Sequence, residues 1–216
     1  MRKANLMLIL TAILVISGCA KVVTVKDTFG DLFTVSVNLR GNISIDEKYY
    51  LILSEDSNFQ VPEEAHEFEE PYLISWSELL EEEKTYLLNR FSTWTGYIVV
   101  DSKDIYRVQG PFTTTEEAKA SQEKRVYITR AGDFNNLSFD FRIVDIFGSG
   151  LSLGESVYFD IITTTLEADD IRHLADRLTP GGNYIRNEKN AIVSGSDEAS
   201  SVEPSLDILD WVVSIQ

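Results

Sequence analysis

The sequence predicts a mainly β protein: an antiparallel β-sandwich or partly open barrel with two peripheral helices near residues 77–91 and 166–178. Three observations lead there. Leu137, Phe139, Phe141 and Ile143 alternate with Ser138, Asp140 and Arg142, and several other stretches repeat this period of two. Strand-like stretches follow one another without a helix between each pair, which disfavours a parallel α/β sheet. Gly41-Asn42 and the glycines of residues 148–154 supply hairpin turns.

Taken in order, Val22, Val23 and Val25 fit either a first strand or a tether, so residues 19–30 are assigned to one or the other. Phe33, Val35, Val37 and Leu39 alternate with Thr34, Ser36 and Asn38, a half-buried strand whose return partner is the Tyr-, Ile- and Leu-rich stretch 48–53. Residues 55–83 then hold eleven acidic side chains and no Lys or Arg. The first part, to Pro71, has two prolines and no apolar period, so it reads as an exposed loop. Beyond it, Ser75 and Glu78 have capping-box spacing, and Leu80, Leu87 and Phe91 form a stripe widened by Leu79, Tyr86 and Leu88. That pattern predicts the helix over 77–91, with Glu78, Glu81, Glu82 and Glu83 complementing its positive end.

Residues 96–100 read as a buried strand, and 105–108 continue it or pair with it. Gly110-Pro111 breaks the pattern, and 113–124 form an exposed excursion with Thr115 as a cap. Val126 and Ile128 mark a strand over 125–130 that Gly132-Asp133 turns. Val157, Phe159 and Ile161 mark another over 156–164. Thr165 is then placed to cap a second helix with Leu166, Ile171, Leu174 and Leu178 as its stripe, stopped at Thr179-Pro180-Gly181-Gly182. Residues 183–193 are a weak strand, 194–205 a polar loop, and 206–215 close the chain with Trp211, Val213 and Ile215 alternating. Alternation of this kind implies one core face and one wet face per sheet. Trp76, Trp94 and Trp211 fit that core better than an aromatic ligand platform.

The N-terminus carries an address. Arg2 and Lys3 precede an apolar run over residues 6–16 broken only by Thr11, too short to span a bilayer, which needs about 20 apolar residues. Ile16-Ser17-Gly18-Cys19 closes the run and resembles the lipobox of bacterial lipoproteins. The resemblance covers the first 20 residues. It implies a signal peptide over 1–18, cleavage between Gly18 and Cys19, palmitate-type acylation of Cys19, export, and anchorage to the cell membrane. Ala20 implies the outer membrane where the source has two. Two or three acyl chains, at about 0.8 kcal/mol per buried methylene, make a stable anchor.

Composition limits the partners. Of 19 basic and 35 acidic side chains, the signal removes only Arg2 and Lys3, leaving 17 against 35 and a formal charge of −18. Nucleic acid and an electrostatic grip on anionic lipid both need clustered Lys and Arg, so both are disfavoured. The single cysteine, once acylated, leaves none for a disulfide or a thiolate metal site. Residues 31–216 are long enough for one domain, with exposed loops at 55–71, 113–124 and 194–205.

Two clusters bear on chemistry. Glu63, Glu64, His66, Glu67, Glu69 and Glu70 form a candidate partner or cation surface. The stretch lacks the spacing that presents several oxygens to one calcium ion, so no metal and no cofactor are assigned. Deleting residues 55–71 is expected to spare folding and weaken partner binding. Gly150-Leu151-Ser152-Leu153-Gly154 formally matches G-x-S-x-G, with Asp160, Asp169, Asp170 and His173 downstream in hydrolase order. A strand leaves this turn where a nucleophile elbow needs a helix, so it reads as a hairpin and no catalytic residue is assigned. The leading expectation is a non-catalytic interaction or structural module of the cell envelope. The alternative is a small-ligand, cation or glycan binding module, and the second alternative a serine hydrolase using Ser152.

Overall fold

The computed structural model describes residues 30–44, 46–61, 68–101, 105–120, 124–125, 134–149, 151–166, 172–179, 183–198 and 202–216. Strands β1 (Leu32–Leu39), β6 (Asn136–Arg142), β10 (Ala191–Ser196) and β11 (Ile208–Ile215) form an antiparallel sheet in the order β10-β11-β1-β6. A second antiparallel sheet contains β2 (Lys48–Ser54), β3 (Gly96–Val100), β4 (Ile105–Gln109), β5 (Lys124–Arg125), β7 (Ser156–Leu166) and β8 (Arg172–Arg177). Its order is β5-β4-β3-β2-β7-β8, and β9 (Tyr184–Arg186) also pairs with β7. The two sheets pack face to face as a sandwich; no closed barrel forms.

Period-two alternation builds the core between them. Phe33 stands in register between Ile215 on β11 and Phe141 on β6, and the Phe33 and Phe141 rings stack at 5.0 Å. Phe33, Val35, Val37 and Leu39 turn inward to meet Leu51, Leu53, Ile98, Phe159 and Ile161 from the second sheet. Thr34, Ser36 and Asn38 face outward, as the alternation requires. Trp211 joins this core edge-to-face with Phe159 at 5.3 Å.

The expectation of one wet face per sheet fails for the second sheet, which is covered on both sides. Tyr50, Ile52, Tyr97, Val99, Tyr106, Val108 and Ile162 point away from the first sheet into a second core. The cover comes from Val61, Phe68, Ile74, Trp76, Phe91 and Trp94. Helix α1 (Glu81–Phe91) belongs to this cover, inserting Phe91 against Trp94 with ring centroids 4.8 Å apart. It starts later than the Ser75–Glu78 spacing predicts, because Glu83 supplies the cap by accepting from the Leu80 backbone N–H at 2.8 Å. The molecule therefore has three layers: the four-stranded sheet, the larger sheet, and a helix-and-loop layer.

Two further helices are short: α2 (Thr115–Ala120) and α3 (Val144–Phe147). Thr114 caps α2, its hydroxyl accepting from the Glu117 N–H at 3.2 Å, and Ala118 is buried beneath it, so 113–124 is not wholly exposed. The described residues of 166–178, expected as a helix, form none: Leu166 ends β7 and Arg172–Arg177 is β8. Strand β7 continues through Thr163, Thr164 and Thr165 to Leu166, and β8 returns beside it. The polar loop placed at 194–205 begins inside β10, which extends to Ser196. Residues 126–130, expected as a strand, and the signal and tether residues 1–29 lie outside the described residues.

Candidate functional site

The acidic stretch is the first candidate, and the structure divides it. Glu63, Glu64, His66 and Glu67 lie outside the described residues. Glu69 is exposed, whereas Glu70, its neighbour, is 1% exposed and belongs to no surface. The expectation that Glu70 faces a partner or a cation is therefore corrected: its carboxylate is occupied from within. Lys48 Nζ and the Tyr106 hydroxyl each donate to Glu70 Oε1 at 2.8 Å. Tyr50 donates to the same oxygen and Tyr97 to Oε2, both at 3.4 Å.

The fold dictates this convergence. Lys48 and Tyr50 are two apart on β2, Tyr97 lies on the adjacent β3, and Tyr106 on β4 beyond it, so all four project from one face of one sheet. Burial, then the negative charge of Glu70, holds the phenols of Tyr50, Tyr97 and Tyr106 well above their ordinary pKa. They remain hydroxyl donors at every pH the fold meets. A carboxylate accepting from three phenols and an ammonium is satisfied; it has no lone pair aimed at a cleft and serves as a latch.

Other bonds fasten the same segment. The Trp94 indole N–H donates to the Gln60 carbonyl at 2.7 Å, that of Trp76 to the Pro71 carbonyl at 2.9 Å, and the Phe68 N–H to the Arg172 carbonyl on β8 at 2.7 Å. With Val61 and Phe68 buried, the 55–71 stretch is structural at both of its described ends, contrary to the expectation that its deletion spares folding.

A second buried carboxylate, Asp160, sits on β7 and pairs with Arg177 of β8. Burial pushes its carboxyl up to about 7 although the guanidinium opposes the shift. Beside it on β7, the Tyr158 ring meets Tyr184 of β9 at 5.8 Å, and Tyr184 is 44% exposed.

Ser152 occupies the turn leading into β7. Its N–H donates to the Glu155 carboxylate and its carbonyl accepts from Asn187 Nδ2 at 3.2 Å, so it sits in a self-closed turn. His173 pairs with Thr165 near the other end of β7. Nine residues separate Ser156 from Thr165, about 30 Å of strand at about 3.3 Å per residue, so Ser152 and His173 cannot share a proton. Among the described residues no three His, Cys, Asp or Glu side chains converge as a cation site would need.

Sheet edges are the remaining candidates, and they differ. The β6 edge carries Asp140 and Arg142; the β8 edge carries Arg172, His173, Asp176 and Arg177. Both are blunted by charge. Edge strand β10 is Ala191-Ile192-Val193-Ser194-Gly195-Ser196, with no charge and no proline, and Ile192 is 71% exposed. Among the described residues no strand pairs with its side away from β11.

No family model, curated protein or solved structure matches this chain.

The edge was invisible in the sequence because residues 194–205 read as polar loop. Its only signal, Ile192-Val193 between Ala191 and Ser194, is short. Cys19 and Gly18, the expected acylation and cleavage positions, lie outside the described residues.

Proposed function

We propose that this chain is an exported lipoprotein held to the cell membrane by acyl chains on Cys19, at the outer membrane where the source has two. Its sandwich is a non-catalytic interaction module of the envelope that receives an extended segment of a partner protein along β10. The anchor rests on Arg2, Lys3, the apolar run over 6–16 and Ile16-Ser17-Gly18-Cys19. The observation that carries the interaction reading is the uncharged, unblunted β10 edge in a chain of net charge −16 whose other described edges carry charged side chains. Such an edge offers main-chain donors and acceptors to an added strand, and an extended segment meets no charge there.

The test uses full-length protein in membranes, with a photo-crosslinking residue at position 192 and, as a control, at 138 on β6. A discrete adduct from 192 alone, lost when Ser194→Lys charges the edge, supports the reading. Identical adducts from both positions, or none from 192, overturn it. Cys19→Ala should leave an uncleaved or soluble precursor; a processed, membrane-bound mutant would refute the anchor.

The Tyr158–Tyr184 pair favours a second reading, a glycan-binding module that stacks a sugar on the exposed Tyr184 ring. Glycan-array binding that disappears in Tyr184→Ala would establish it; an empty array would remove it.

A further inference from the structure

We propose that the end of the sandwich from which residue 30 leads back toward Cys19 lies against the lipid surface, so the sheets stand away from the membrane. The inference rests on lipidation at Cys19. Four backbone bonds assemble this end. The Asp31 N–H donates to the Gln216 carbonyl at 2.9 Å, and the Ile143 N–H to the Asp31 carbonyl at 3.1 Å. The Asn190 N–H donates to the Ile215 carbonyl at 2.7 Å, and the Gly154 N–H to the Asn187 carbonyl at 3.1 Å. They gather the entry to β1, the exit of β11, the β6–α3 corner, the loop before β7 and the β9–β10 turn into one surface.

Its chemistry differs from that of the chain as a whole. Val144 is 44% exposed and Leu153 is 37% exposed, one aliphatic side chain at the β6–α3 corner and one in the loop before β7. Exposed Arg142, Arg186 and Lys189 offset exposed Asp31, Glu155 and Glu188, leaving the end near neutral on a protein of net charge −16. An anionic bilayer repels this end less than the net charge of the chain would imply. The intervening Lys21, Lys26 and Asp27 add one net positive charge close to the anchor.

Chain length chooses the occupant. Residues 20–29 span at most about 36 Å even fully extended, which bounds how far this end can stand from acyl chains on Cys19. The opposite end, where the Ile43 N–H donates to the Phe134 carbonyl, lies about 26 Å from this end, the length of β1 at about 3.3 Å per residue, and so is reached by the tether only past the body of the sandwich. Val144 and Leu153 are the side chains placed to enter the headgroup–acyl boundary. Strand β10 starts at this end, so its open edge rises away from the membrane, accessible to a partner.

Acylation consumes the only native thiol, which makes the test direct. Val144, Leu153 and Phe134 are replaced by Cys one at a time in the full-length protein. Each is labelled in isolated envelopes with a polarity-sensitive thiol fluorophore and challenged with a bilayer-borne nitroxide quencher; the same positions labelled in Cys19→Ala protein give the unanchored baseline. Blue-shifted, quenched emission at 144 and 153 with baseline emission at 134 is expected. Baseline emission at all three positions from protein that remains in the membrane pellet overturns the orientation while leaving the anchor intact. Protein absent from the pellet refutes the anchor, and the orientation with it.

Discussion

The Tyr106 hydroxyl on β4 and the Glu70 carboxylate meet at 2.8 Å beneath the helix-and-loop layer, and 36 residues of chain separate them. That contact, with Lys48 on the same oxygen, turns the end of a strongly acidic stretch into a buried latch. Glu70→Ala removes the acceptor and leaves a largely buried ammonium and three phenols without it. The expected cost is about 3 kcal/mol, because breaking one side of a buried pair exposes the desolvation penalty of the other. Glu70→Gln, which keeps one acceptor oxygen, should cost less. Urea denaturation of the three proteins checks the order; equal midpoints would show that the latch holds nothing.

The stretch before the latch follows from the same packing. Phe68 is 2% exposed and meets the Tyr50 ring at 4.8 Å, so Phe68→Ala should destabilise by about 3–4 kcal/mol. Removing residues 55–71 altogether also takes Val61 and the carbonyl partners of both indoles, Trp76 and Trp94. The deletion protein should lose its cooperative thermal transition and its near-ultraviolet circular dichroism. A deletion with a sharp transition near the wild-type midpoint would return the segment to the status of an exposed loop.

The core strands were legible because a strand with one face in the core writes its period into the sequence: β1 and β6 alternate without interruption and β11 does so from Trp211 onward. Their pairing was not: the expected hairpin of 33–39 with 48–53 does not form, since β1 pairs with β6 and β11 in one sheet and β2 with β3 and β7 in the other. What was not legible has physical causes. In β8, Leu174 pairs with Thr164 and Arg177 with Ile162, across a register shift between Thr163 and Thr164. That bulge puts residues three apart on one face, and a spacing of three imitates a helix. The Thr163-Thr164-Thr165 run was the counter-signal, since β-branched residues favour strands. Glu70 was unreadable for another reason: its partners lie 20 to 36 residues away on three strands, and local composition carries no trace of them.

Asp160 gives the protein a pH dependence of unusual sign for a salt-bridged acid. Burial raises its carboxyl to about 7, whereas the unfolded chain titrates near the ordinary value of 3.8. Between those two values the folded state holds a proton the unfolded state releases, so unfolding free energy falls as pH rises through that window. The contribution is at most about 4 kcal/mol, at about 1.4 kcal/mol per unit. Asp160→Asn retains an acceptor for Arg177 and cannot ionise, so its stability should decline less from pH 4.5 to 7.5. Denaturation series at both pH values check this; parallel declines would mean that Asp160 titrates normally.

Gly195 is the last point where sequence preference and packing diverge. Glycine weakens a strand by its backbone entropy, so at an open edge alanine alone would be expected to help. Here Gly195 pairs with Trp211, and a Cβ at 195 would stand 2.7 Å from Trp211 Cζ2 and 2.8 Å from Cε2. The indole lies across the bare glycine and is held there by Phe159 behind it, so it cannot yield without opening the core. Gly195→Ala should therefore destabilise by about 1–3 kcal/mol despite the better strand former, the cost typical of overpacking. In a Trp211→Phe background the smaller ring removes the clash, and the same substitution should become neutral or mildly stabilising. A double-mutant cycle in urea resolves the two terms: a coupling near zero would mean that the ring gives way freely, and that glycine at 195 serves the edge and not the core.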